Sequence, residues 1–150
     1  MPRFGANVAL PRLPAHGDRG VATAADLWVG TNDAAAVTAK ALFDAAAPVA
    51  VAYAATITLD LRTGFNFEVG ALTGNLTLAN PSAGLTPGRS GAIGLTQDGT
   101  GSRILTLGSN WKAPGGAPVL STAASSIDTL FYYVVSATII RCTLSKAFAQ

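Results

Sequence analysis

The chain has 150 residues, 49% of them hydrophobic and only 12% charged, with a formal net charge of +2. That length suits one domain with a packed core, while a charged fraction about half the usual one leaves a large neutral surface suited to assembly. The scattered positive residues form no nucleic-acid footprint, the single cysteine excludes an internal disulfide and a cysteine-rich metal site, and the longest apolar run, residues 45–55, is broken by Pro48 and too short to cross a membrane.

Residues 1–32 read as an extended N-terminal anchoring arm. Pro2, Pro11, Pro14 and the glycines at 5, 17 and 20 interrupt any regular period. Apolar anchors still recur at Phe4, Val8, Leu10, Leu13, Leu27 and Trp28, so the arm is expected to lie on its own domain or on a neighbouring subunit. The opening segment has no apolar h-region and does not read as an ordinary signal peptide. Residues 33–48 then read as one short docked helix, "DAAAVTAKALFDAAA". Thr31, Asn32 or Asp33 can cap it, Val37, Ala41 and 43–45 share a face, and Pro48 stops it.

From residue 49 to 150 the period changes to two. In "TITLDL" Ile57, Leu59 and Leu61 share one face, and in "FNFEV" Phe65, Phe67 and Val69 do the same. "NLTLAN", "SGAIGLTQ", "RILTLG", "IDTLFYYVVS" and "TIIRCTLS" follow as further strands. Many short strands with glycine-rich turns and no strand–helix alternation predict an all-β, antiparallel, jelly-roll-like sandwich of about eight strands. Arg62-Thr63-Gly64 is expected to close one hairpin.

The segment "GLTQDGTGSRILTLG" asks whether Asp98-Gly-Thr-Gly-Ser102 cradles a ligand or turns the chain. A Walker loop needs a lysine and a helix after its glycines, a dinucleotide fingerprint a helix start, and a calcium loop a closing glutamate. None is present. The expected reading is a hairpin joining 93–97 to 103–107, with positive φ at Gly99 and Gly101 and Asp98 capping its own turn.

Reactive groups are few. His16, the only histidine, stands in the arm without an evident partner. Cys142 falls on the inward face of the last strand and reads as a small hydrophobe. Asp60 and Glu68 can face each other across the first hairpin, where solvation or contact with Arg62 is the ordinary outcome and glycoside chemistry the rarer one. Asn110, Trp111 and Lys112 put an amide, an aromatic and a cation in one loop, either as a glycan or interface contact or with Trp111 plugging the open end of the sandwich. Tyr132 and Tyr133 point to opposite sides of their strand, so one faces away from the core. The sequon at Asn75 matters only in a secreted eukaryotic chain.

Across residues 50–146 the order of "LTGNLTLANP", "GxxGxIxLTQDGTGSRxLTxGSNWK" at 88–112, "PVLSTAASSIDTLFYYV" and "TIIRCTLSKAF" resembles a β-sandwich module of tailed-phage virion proteins. The module occurs in tail fibres and head spikes, and in prophage and gene-transfer-agent clusters. The resemblance implies an oligomeric virion component with neither catalytic residues nor a cofactor. It implies turn roles for Asp98, Gly99, Gly101 and Gly108 and a loop-anchor role for Trp111. It implies capsid, portal or tail proteins as partners of the arm, a homo-oligomer such as a trimer, and a host-surface glycan as a candidate ligand. A carbohydrate-binding module is the second expectation. A small hydrolase comes last, for want of a His-centred site.

Overall fold

The computed structural model describes residues 20–32 and 35–148. Among the described residues two helices come first. α1, Ala24–Val29, lies within the segment expected to be extended. Its start is a capping box: the Thr23 side chain accepts from the Asp26 backbone, and Asp26 accepts from the Thr23 backbone. Gly30 ends it at φ 71°, in the left-handed region. α2, Ala39–Ala46, begins well after residue 33, capped by Thr38 rather than by residues 31–33. Ala41 and Ala45 are its buried residues, while Leu42 and Phe43 face outwards. The Trp28 indole donates to the Ala45 carbonyl at 2.8 Å, which ties α1 to α2. Arg89 donates to the carbonyls of Leu61 and Trp28 and lies 5.1 Å from the Phe65 ring centroid, which ties α1 to the β region.

Nine strands follow: β1 Val49–Val51, β2 Thr56–Ile57, β3 Phe67–Leu72, β4 Leu76–Leu78, β5 Ser90–Gln97, β6 Leu105–Leu107, β7 Trp111–Lys112, β8 Ile127–Ser136 and β9 Ile139–Phe148. They form two layers, as expected: a six-stranded sheet ordered β1-β3-β5-β8-β9-β7 and a three-stranded sheet ordered β2-β4-β6. Their directions correct the antiparallel jelly-roll expectation. β1, β3 and β5 run parallel, as do β2, β4 and β6, and β7 runs parallel to β9. Only β5–β8 and β8–β9 are antiparallel.

The chain therefore winds as a coil. It lays one strand in the large sheet, crosses to the small sheet, and returns beside its previous strand. Neither expected early hairpin forms, because β2 and β3 lie in different sheets, and so do β5 and β6. A short 3-10 turn, Leu61–Thr63, occupies the place of the first, with Asp60 as its cap.

Parallel register stacks like on like. Val49, Phe67 and Ile93 are successive partners in the large sheet, and Leu76–Leu105 and Leu78–Leu107 pair in the small one. Alternation points these residues at the opposite layer. Phe67, Leu72, Leu76, Leu78, Ile93, Leu95 and Leu130 are all at most 1% exposed. Asparagines staple one turn of the coil to the next. Asn66 accepts from the Ala92 backbone and donates to the Ala46 carbonyl; Asn75 accepts from the Ile104 backbone; Asn80 accepts from the Asn110 backbone and donates to Ser109. β8 and β9 then extend the large sheet beyond β5 as a hairpin turning at Ala137 and Thr138.

Candidate functional site

The QDGTG segment is a corner between the two sheets. Asp98 Oδ1 accepts from the backbone of Thr100 and Gly101, and the Arg103 guanidinium donates to Asp98 Oδ2 at 2.6 Å. The Arg103 hydrogen bond, with its charge, holds the Asp98 carboxyl down at about 2. Gly101 has φ 75° and Ser102 φ 61°, whereas Gly99 is not in the left-handed region, against expectation. A Cβ at Gly101 would run into the Thr122 carbonyl, but one at Gly99 would meet open space.

Residues 121–128 form the other side of this corner. Gln97, 2% exposed, donates to the carbonyls of Arg103 and Ser121 and accepts from the Arg103 backbone. Asp128, 1% exposed, accepts from the backbone and hydroxyl of Ser121 and from the Ala147 backbone. The buried side chains of Gln97 and Asp128 are engaged with the chain's own groups, so they hold two motifs together.

Trp111 lies in the core, 4% exposed. Its indole donates to the Ala79 carbonyl at 3.0 Å, and its ring meets Tyr132 edge-on at 6.1 Å. A buried ring offers no open face to a sugar, so glycan stacking on Trp111 is corrected. Asn110 and Lys112 flank it, the Lys112 ammonium donating to the Ser109 carbonyl at 2.6 Å. Gly108 sits where a Cβ would press on Asn80, with 2.6 Å to Oδ1.

The open surface lies on the outer face of the large sheet. β8 alternates strictly: Leu130, Tyr132 and Val134 are buried, while Phe131 and Tyr133 are 45% and 48% exposed. Tyr132 donates to the Phe65 carbonyl at 2.8 Å, and burial pushes its hydroxyl up to about 12. Phe131 pairs with Ala92 on β5 and Thr143 on β9, and Tyr133 with Ser90 and Arg141. Pro114 rises beside them to bound a shallow groove of about 320 Å³. Sequence reading found the outward tyrosine but missed Phe131 and Arg141, because it had not paired β9 with β8.

The remaining candidates stay apart. Phe4, Leu10, Leu13 and His16 lie outside the described residues. Asp60 pairs with Arg62 at 2.8 Å, and without the first hairpin it has no cross-strand pairing with Glu68, whose side chain lies over Gly94. Cys142 is buried, and burial pushes its thiol up, away from the reactive thiolate. No group of three or more His, Cys, Asp or Glu among the described residues is placed to hold a metal.

No curated protein and no solved structure matches the chain. A family model described as "Putative phage tail fibre C-terminal domain" matches residues 57–133. That span runs from the end of β2 through the coil and the corner knot to Tyr133 on β8, and takes in half of the chain. The chain belongs to this family of phage tail fibre C-terminal domains.

Proposed function

We propose that the chain is a structural subunit of a phage or phage-like particle such as a gene transfer agent. It is a small fibre, spike or decoration module whose β domain stands on the particle surface and contributes to host attachment. The family match over residues 57–133 carries this reading. A low charge content and the outward Leu42 and Phe43 on α2, 55% and 75% exposed, support assembly with other subunits. In this reading the arm of residues 1–32 joins the module to capsid, portal or tail proteins, and the module itself is oligomeric, a trimer being one arrangement that suits a fibre. The second reading, a carbohydrate-binding receptor tip, is favoured by the groove beside Phe131 and Tyr133 and not by Trp111.

The test is to purify particles from cells carrying either the full gene or one lacking residues 1–19. The full chain is expected in the particles. The truncated chain should show an unchanged melting transition yet be absent from them. Particles free of the full chain would end the virion reading, and normal incorporation of the truncated chain would remove the anchoring role.

A further inference from the structure

We infer that the outer face of the large sheet is a binding groove for a carboxylate-bearing oligosaccharide, with Phe131 and Tyr133 as the stacking floor and Arg141 as the anion contact. This deepens the attachment reading above and rests on it.

Phe131 and Tyr133 stand two residues apart on β8 and point the same way, so their rings repeat at about 6.5–7 Å. Both are close to half exposed. The neighbouring positions on β5 are small, Ser90 and Ala92, which leaves the rings standing clear on that side. Thr143 faces Phe131 on β9, and Pro114 walls the groove. Flat apolar rings beside hydroxyls match a pyranose, which offers one apolar face and a polar rim.

The charge on this face selects the sugar. Arg141 lies directly across from Tyr133, and Lys112 is its register partner on β7. The ion pairs among the described residues are Lys40–Asp44, Arg62–Asp60 and Arg103–Asp98, so none neutralises Arg141. Among the described residues, the strand carboxylate exposed on this face, Glu68, stands on β3, separated from β9 by β5 and β8. A guanidinium recognises a carboxylate with two parallel hydrogen bonds. An apolar protein partner would have to strip water from this cation, at a cost that no ion pair among the described residues offsets. A sugar acid supplies the stacking face and the counter-charge together.

The test is a glycan array carrying uronate- and sialate-bearing oligosaccharides beside their neutral or methyl-esterified counterparts, probed with the full chain and followed by titration of the strongest acidic ligand. Acidic glycans should bind at least tenfold tighter than their neutral counterparts. Arg141→Gln and Tyr133→Ala should each weaken binding tenfold or more, Arg141→Lys less, with melting transitions unchanged. Binding should weaken as salt rises. Absence of acidic binding, equal binding of the neutral forms, or unchanged affinity in both variants would overturn the inference. So would self-association of the full chain through this face, abolished by Tyr133→Ala without any sugar binding. Particle incorporation measured in parallel keeps the two readings separate. Incorporation without glycan binding sinks only the groove, and absence from particles sinks the virion role.

Discussion

Replacing Trp111 by alanine is expected to cost about 3–5 kcal/mol of stability, the range for truncating a large buried aromatic. The indole is 4% exposed, meets Tyr132 edge-on, and donates to the carbonyl of Ala79, just past β4 in the opposite sheet. Truncation opens a cavity between the two layers and orphans a carbonyl. At roughly 2–4 °C per kcal/mol for a chain of this size, the melting temperature should fall by on the order of 10 °C. Trp111→Phe keeps most of the ring packing and should recover more than half of the loss. Lys112→Ala, on the solvent side of the same strand, should change stability by no more than about 0.5 kcal/mol. A Trp111→Ala protein as stable as wild type would show that the ring is not in the core.

The glycines of the QDGTG corner should separate just as sharply. Gly101→Ala places a methyl group against the Thr122 carbonyl and forces an alanine to φ 75°. The obstacle is backbone, held in place by the Ser102 amide donating to that same carbonyl at 3.0 Å. A loss of about 3 kcal/mol or more is expected, enough to disturb the junction between the corner and residues 121–128. Gly99→Ala meets nothing and needs no unusual φ, so it should lie within about 0.5 kcal/mol of wild type. Thermal melts of the two variants side by side are the check. Equal losses would show that the corner is not docked as described.

These contrasts mark what the residues alone could disclose. The bounds of β5 and β8 coincide with the runs "SGAIGLTQ" and "IDTLFYYVVS", because a run of strand-forming residues between turn residues is a local property. Period-two alternation assigned Ile57, Phe67, Ile93 and Cys142 correctly to the interior. It could not give strand direction. A coil and a set of hairpins place the same side chains inwards, and they differ only in which strand each one lies beside. Turn chemistry misled for the same reason: Asp98 and Gly101 reverse the chain as well at a corner between sheets as in a hairpin. The cross-turn asparagines Asn66, Asn75 and Asn80 were the available signal. Each recurs at a strand end, with its side chain satisfying the backbone of the next turn. α1 was legible too, in the capping box from Thr23 to Asp26, but the surrounding prolines and glycines drew the reading towards an extended arm.

For the site, the loop "SNWK" leaves two readings open, ligand contact or a Trp111 that packs inwards. Burial favours the second: β7 pairs with β9 at the sheet edge and the indole turns inwards. The exposed rings belong instead to β8, where the opposite-facing tyrosines are legible but Phe131 is hidden within a run that is apolar on both faces. Arg141 became their neighbour only through the β8–β9 register.

The parallel coil is the claim on which the corner and the asparagine staples depend, and paired cysteines test it directly. In the coil Thr77 on β4 is the register partner of Thr106 on β6. In a hairpin joining 93–97 to 103–107, Thr96 would instead approach Ile104. Mild oxidation followed by mass spectrometry of Thr77→Cys/Thr106→Cys and of Thr96→Cys/Ile104→Cys should give a disulfide in the first protein and none in the second, since bridged Cα atoms must lie within about 7 Å. A bridge in the second and none in the first would contradict the coil.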